Sequence, residues 1–338
     1  MVITENVSLK PYNTFGIEAN AMVFVEMQSA QDIQIFCSTP QYKNGKKLIL
    51  GGGSNILFTK AYDGIIVKIN TKGIIKIKET KDHVYLNVQA GEVWNDFVNY
   101  CLLNNLGGVE NLVLIPGNVG SCPIQNIGAY GAEVKDCIES VEVLDIHTLQ
   151  MWEINNTGCN FGYRNSIFKH ELKNKVIILS VTFKLTKEHT LHLEYPAIQA
   201  ELDASGINNP TIQSVAKAIT NIRLCKLPDP KEIGNAGSFF KNPSVSKSDF
   251  NILKSNFPGI PSHAQTDGTF KVPAGWLIEQ CGWKGHREGD AGVHKNQALV
   301  LVNYGNATGK DILNLANKIQ QSVSEKFRLE LEMEVNII

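Results

Sequence analysis

Ile115-Pro116-Gly117-Asn118-Val119-Gly120-Ser121-Cys122-Pro123-Ile124-Gln125-Asn126-Ile127-Gly128-Ala129-Tyr130-Gly131 is the stretch on which the chain turns. Its glycines rule out a regular core strand and its prolines a helix interior. Backbone of this kind lies close against a flat or anionic ligand, with N–H groups free to face it. Gln125 and Asn126 add directional donors and acceptors. Loops longer than about a dozen residues without regular structure are uncommon unless they carry function, so this one is read as a ligand cradle rather than a plain surface loop.

A second cradle candidate precedes it. Lys47 to Leu50 reads as a strand that ends in Gly51-Gly52-Gly53-Ser54-Asn55, where successive glycine amides can wrap an anion. Neither G-x-G-x-x-G nor G-x-x-x-x-G-K-[ST] is present, so this is no dinucleotide fingerprint and no P-loop. A triple glycine taken alone is as readily a turn.

Around these loops the pattern is mixed. Ala21 to Met27 reads as a strand, and Ser29 with Asp32 as the start of a helix. Gly64–Ile69, Gly73–Lys78, Val84–Ala90, Ile138–Ile146, Met151–Ile154, Val176–Leu185 and Ala298–Asn303 are further strands. Glu92–Leu103, Pro210–Cys225, Pro273–Cys281 and Lys310–Phe327 carry helical spacing. Leu329 to Val335 alternates strictly, which predicts a strand with Glu330, Glu332 and Glu334 on one face. At 338 residues, two or three domains are expected. A net charge of −1 argues against bulk nucleic-acid or membrane-surface binding. Without a spanning apolar run, a leader pattern or paired cysteines among the seven, a reduced cytoplasmic protein is expected. No metal-ligand or Ser/His/Asp spacing stands out.

Two further segments hold candidate chemistry. Phe161-Gly162-Tyr163-Arg164-Asn165-Ser166-Ile167-Phe168-Lys169 encloses an arginine among aromatics, either a stacked surface residue or an anion clamp. Asn235-Ala236-Gly237-Ser238-Phe239-Phe240-Lys241-Asn242-Pro243 is a second small-residue loop, following Lys226-Leu227-Pro228-Asp229-Pro230.

With Asn13-Thr14-Phe15-Gly16, these motifs stand in an order that resembles the UDP-N-acetylenolpyruvoylglucosamine reductase (MurB) family from near residue 8 to the C-terminus. Leu193-Glu194-Tyr195 resembles the type I form, in which a tyrosine-bearing loop covers the substrate. The resemblance implies an α+β chain: a vanillyl-alcohol-oxidase/PCMH-type FAD-binding fold in two subdomains, 1–71 (completed by 327–338) and 72–208, and a C-terminal α+β substrate-binding domain, 209–326. It implies non-covalent FAD, reduced by NADPH, and reduction of UDP-N-acetylglucosamine enolpyruvyl ether to UDP-N-acetylmuramate, a cytoplasmic step of peptidoglycan synthesis, by a chain expected to be monomeric. Gly51, Gly52, Gly53, Ser54, Asn55, Pro116, Gly117, Gly120, Ser121, Gln125, Asn126, Gly128, Ala129, Tyr130 and Gly131 are the residues this reading places at the cofactor.

The same resemblance sets Arg164 at the enolpyruvyl carboxylate, Ser238 as proton donor to the enol and Glu332 as the acid paired with the arginine. Met333 stands where the family often has proline, which leaves Glu330 and Glu334 as neighbours to weigh against Glu332. Tyr195, Lys226, Asn242 and Gln297 match positions at the diphosphate and uridine end. A fixed guanidinium suits an anion that gathers charge, and a positioned hydroxyl can protonate a strongly basic carbon. Cys122 is the one residue that tempers the expectation of a non-covalent flavin. The rival readings are another oxidoreductase of the same flavin fold and a flavin- or nucleotide-binding module without turnover; the joint presence of Arg164, Ser238 and Glu332 disfavours the second.

Overall fold

A computed structural model describes residues 1–265 and 267–338, and Asn44 by its backbone alone. The chain divides into two compact units: Met1–Val7, Ala21–Gly52 and Asp63–Cys225 in the first, Ser8–Asn20, Gly53–Tyr62 and Lys226–Ile338 in the second.

The first unit is built on two sheets. Strands β1 (Val2–Ser8), β2 (Asn20–Met27), β3 (Lys47–Leu50) and β4 (Tyr62–Ile69) lie in the order β1-β2-β4-β3, with β3 and β4 parallel. The connection from β2 to β3 carries helix α1 (Ala30–Ser38), whose cap Ser29 accepts from the Asp32 amide, and α2 (Pro40–Asn44). Strands β5 (Ile74–Glu79), β6 (His83–Gln89), β7 (Ile138–Asp145), β8 (Met151–Asn155) and β9 (Val176–Thr186) form the second sheet, ordered β8-β7-β9-β6-β5. Central β9 is buried without a break from Ile177 to Phe183, as a strand covered on both faces must be. Edge strand β5 instead exposes Ile75 and Ile77 but interleaves Lys76 and Lys78, charges that disfavour pairing with another chain.

Helix α3 (Trp94–Leu103) turns Trp94, Phe97, Val98 and Cys101 inward at helical spacing, and the Trp94 indole donates to the Leu112 carbonyl at 2.9 Å. Phe97 lies 4.5 Å from the ring of Phe183 on β9. Burying one such ring contributes roughly 1.5–3 kcal/mol. Helices α4 (Pro196–Ala204) and α5 (Ile212–Lys226) follow β9, and α5 places Val215, Ile219 and Ile222 in this same core.

In the second unit, β10 (Gly234–Ser238), β11 (Arg287–Glu288), β12 (Ala291–Val293) and β13 (Val300–Asn303) form a sheet ordered β10-β13-β12-β11. Helices α6 (Lys247–Asn256), α7 (Ala274–Gln280) and α8 (Gly309–Phe327) belong with it. Thr308 and Asp311 close a reciprocal capping box at the start of α8, and Ile312, Leu315, Ala316, Ile319 and Val323 form its buried stripe.

The Asn13-Thr14-Phe15-Gly16 motif is a structural joint of this unit. Asn13 ties its own turn through the Leu9 and Ile17 carbonyls, while the Asn235 amide donates to Thr14 and the Asn303 side chain to Phe15. A Cβ on Gly234 would sit 2.1 Å from the Phe15 carbonyl oxygen, so only glycine permits this approach.

The alternating tail does not form the predicted strand. Between Leu329 and Val335, Met333 alone bridges to Phe240, and the ladder with Ile56–Leu57 begins at Asn336. Alternation survives in burial, since Leu331 and Val335 are buried while Glu332 is exposed. An extended segment can keep its two faces with few ladder bonds.

Candidate active site

In the first unit the two glycine loops meet. A Cβ on Gly52 would lie 2.6 Å from the Gly117 Cα and 2.8 Å from the Asn118 side-chain oxygen. Asn118 donates to the Gly91 carbonyl at 2.7 Å, and the Ser121 hydroxyl to the Asn118 carbonyl at 2.6 Å, so one side chain ties the loop to Gly91 and the other braces it from within. Gly120 packs just past the end of β6, where a Cβ would fall 2.5 Å from that of Ala90. Cys122 is buried, and burial pushes its thiol well up.

Downstream, the loop becomes a hairpin. Gly128–Ala129 pairs with Ala132–Glu133 across Tyr130 and Gly131, which have φ of 50° and 83°. Two positive φ values in a two-residue connection are the turn that suits the twist of a hairpin.

Arg164 docks on this hairpin. Its Nη2 donates to the Gly128 carbonyl at 2.8 Å and its Nη1 to Asn126 at 3.4 Å. Its backbone sits in the left-handed region with φ 52°, a conformation non-glycine residues adopt mainly where surroundings impose it. What imposes it is Asn126, fully buried at φ 44°: its side chain donates to Gly162 at 3.0 Å and accepts from the Lys135 amide at 3.1 Å. Ser166 adds a 2.6 Å bond to the Ile124 carbonyl. Asn126, read from sequence as a ligand donor, therefore joins the arginine loop to the central loop.

Tyr195, the residue before α4, is half exposed and meets Tyr130 edge to face at 5.2 Å. Asn111, absent from the sequence reading, ties the two segments by donating to Tyr130 at 2.9 Å and His192 at 3.0 Å. Burial raises the Tyr130 phenol, with Arg223 on α5 opposing that effect. The same burial lowers Arg223, whose Nη2 donates to Leu114.

In the second unit, Ser238 ends β10 after a register shift at Gly237, which has φ 69° and whose amide donates to Asn235 Oδ1. Such a bulge re-aims a side chain. Ser238 is exposed, and its hydroxyl makes no hydrogen bond among the described residues. Asn242 Oδ1 accepts from the Ala274 amide at 2.8 Å, and a Cβ on Gly275 would lie 3.2 Å from Gln297 Oε1, so both predicted residues gather at the start of α7. Glu332 is paired with Lys241, whose backbone amide also donates to the Glu332 carbonyl at 2.9 Å. Lys241 lies within the small-residue motif with no role legible in the sequence, because nothing local signals a partner 91 positions away. Glu330 is engaged with Ser324 instead, and Glu334 donates its backbone amide to Phe239. Gly53 turns at φ 67°, where a Cβ would lie 1.9 Å from the Tyr12 carbonyl oxygen, and Asn55 donates to Glu334. Lys226 is exposed and joins none of these clusters.

The glycine loops suit the phosphates of a nucleotide cofactor on structural grounds. They leave no room for side chains where they meet, and the Gly52 and Gly53 amides donate to no backbone carbonyl among the described residues. A flavin-binding class is what this fold and its loops define: a model described as an FAD binding domain matches residues 21–148. A second, the C-terminal domain of UDP-N-acetylenolpyruvoylglucosamine reductase, matches 229–338. The reductase of that name from Flavobacterium johnsoniae is 52% identical over all of both chains. That of Pseudomonas syringae pv. syringae is 46% identical over 98% of this chain and 97% of its own. The chain belongs to the UDP-N-acetylenolpyruvoylglucosamine reductase family. The crystal structure of the MurB from Thermus caldophilus covers 99% of each chain at a TM-score of 0.70 and 24% identity, a likeness of fold. The fold is accordingly the PCMH-type FAD-binding fold with a C-terminal α+β domain.

Proposed function

We propose that this chain reduces UDP-N-acetylglucosamine enolpyruvyl ether to UDP-N-acetylmuramate, with Arg164, Ser238 and Glu332 as its reacting groups. The reductase activity, with NADPH as hydride donor, follows from membership of the family, and FAD from the FAD-binding domain. Gly51, Gly52, Gly117, Gly120 and the 128–131 hairpin would hold the flavin nucleotide. A flavin held there would supply the hydride chemistry, from NADPH to the terminal vinyl carbon of the substrate.

Everything else is the work of side chains. Arg164 offers a permanently charged fork to the substrate carboxylate, which gathers negative charge as the vinyl group is reduced. Its docking on the Asn126 and Gly128 carbonyls fixes its aim beforehand, so little reorganisation is needed during reaction. Ser238 delivers a proton to the carbon beside that carboxylate. Glu332, held by Lys241, polarises the enol or shares charge with the cationic groups. Tyr195, Lys226, Asn242 and Gln297 take the diphosphate and uridine. The single observation that carries the assignment of the proton donor is the exposed Ser238 hydroxyl, presented by a bulge and hydrogen-bonded to no neighbour among the described residues.

The two sheets of the first unit support two flavin-holding subdomains that divide near residue 72. Among the described residues no helix is long and apolar enough to cross a membrane; we assign the chain to the cytoplasm and to a monomer. The direct experiment is an absorption spectrum of the purified protein. A flavin band that bleaches under anaerobic NADPH and returns on adding the enolpyruvyl substrate is expected. A colourless protein that takes up no FAD would refute the proposal.

A further inference from the structure

Strand β4 carries a lysine that the family assignment leaves without a role. Lys68 is half-buried, and its ammonium donates to the carbonyl of Gly51, the first residue of the glycine loop. Lys72, just beyond β4, makes the equivalent bond to Gly91, a carbonyl it shares with Asn118 of the central loop. Two cations thus lie behind the place where the glycine loops meet, held by backbone carbonyls. Each also has a carboxylate in its field: Glu92 pairs with Lys72, and Glu26 acts on Lys68. Glu26 on β2 is engaged with Asn70 at 2.6 Å, and Glu92 lies 3.7 Å from Lys72 while accepting from the Gly73 amide.

A planar trans peptide holds its C=O and N–H in opposite directions. Anchoring the Gly51 carbonyl on Lys68 therefore points the Gly52 N–H the other way, and that amide donates to no backbone carbonyl among the described residues. The missing side chain at Gly52 lets the loop lie against Gly117, so the amide is fixed in direction. We propose that Lys68 is a positioning residue for the cofactor diphosphate: it orients the Gly52 amide toward the anion and adds a positive charge behind it. The inference rests on the flavin reading above and deepens it.

The setting makes the effect measurable. Burial, with Lys72 as a smaller cause and Glu26 opposing, brings the Lys68 ammonium down to about 8. Asn118 and Ser121, which approach Gly51 from the central loop, are uncharged. An anion bound across the loop raises the Lys68 value, so the bound state holds its proton to higher pH than the free state. Affinity for FAD is then full below about pH 8 and falls as pH rises through it.

The test uses the full-length protein with FAD as probe, following flavin fluorescence on dilution. Lys68→Met removes the charge and the anchor at similar volume, and is expected to raise the FAD Kd about tenfold or more. Lys68→Arg keeps both and is expected to hold FAD within a few-fold of wild type. Wild-type Kd should rise above about pH 8, and that rise should vanish in both variants because neither titrates there. A purely structural lysine would not move the pH profile. Lys68→Met holding FAD as wild type does, or a wild-type Kd flat through that range, overturns the proposal. Should Lys68→Met not fold, the wild-type profile and Lys68→Arg still decide. A wild type that never binds FAD would instead overturn the flavin reading itself.

Discussion

Asn126→Ala tests whether Arg164, the proposed carboxylate clamp, is aimed by protein or by ligand. The substitution removes the donor to Gly162 and the acceptor for Lys135, both from a side chain with no exposed surface. Each abandoned buried group costs roughly 1–3 kcal/mol. Holding φ at 44° costs alanine about 1 kcal/mol more than asparagine, which stabilises that region locally. A loss of about 3–7 kcal/mol in the first unit is expected. At roughly 2–4 °C per kcal/mol for a unit of 150–250 residues, Tm should fall by about 6–28 °C. Differential scanning calorimetry reads the stability, and stopped-flow absorbance reads the two half-reactions on protein that remains folded below the new Tm. Flavin bleaching by NADPH should be nearly unchanged, while reoxidation by the enolpyruvyl substrate should slow because Arg164 has lost its support. If Asn126 instead serves the ligand, stability would hold within about 1 kcal/mol while flavin content dropped. That pattern would refute the reasoning.

Three further outcomes are expected. Ser238→Ala removes one exposed oxygen, so flavin reduction by NADPH should stay near wild type while substrate-driven reoxidation falls by roughly 10²–10⁴-fold; a stopped-flow trace within a few-fold of wild type would take Ser238 out of the mechanism. Tyr195→Phe should raise KM for the sugar nucleotide and spare flavin reduction, as lost substrate binding does; equal damage to both half-reactions would point to a disturbed fold. Lys241→Met should change stability by less than about 1 kcal/mol, since the Glu332 side chain it holds is 70% exposed, yet slow reoxidation. Unchanged reoxidation kinetics would remove the Lys241–Glu332 pair from the site.

Much of this molecule is legible along the chain. Helix α3 announces itself by the spacing of Trp94, Phe97, Val98 and Cys101, and α1 by Ser29 with Asp32, because those signals act over a few residues. The glycine-rich loops announce themselves by what they lack, side chains, and their order with Arg164 and Ser238 is enough to imply the family. Tertiary structure decided which polar groups remain available to a ligand. Asn126 looks like a binding residue in sequence but is engaged with Gly162 and Lys135, while Lys241 and Lys68 acquire partners at distant positions. The tail from Leu329 to Val335 shows the same division: alternation fixes which side chains are buried, but ladder bonds depend on a partner strand elsewhere in the chain. Local backbone and side-chain preferences are properties of neighbouring residues, and these are written in order. Hydrogen bonds and ion pairs across tens or hundreds of positions form only when the folded backbone brings both groups within about 3 Å, and no short stretch of sequence records that distance.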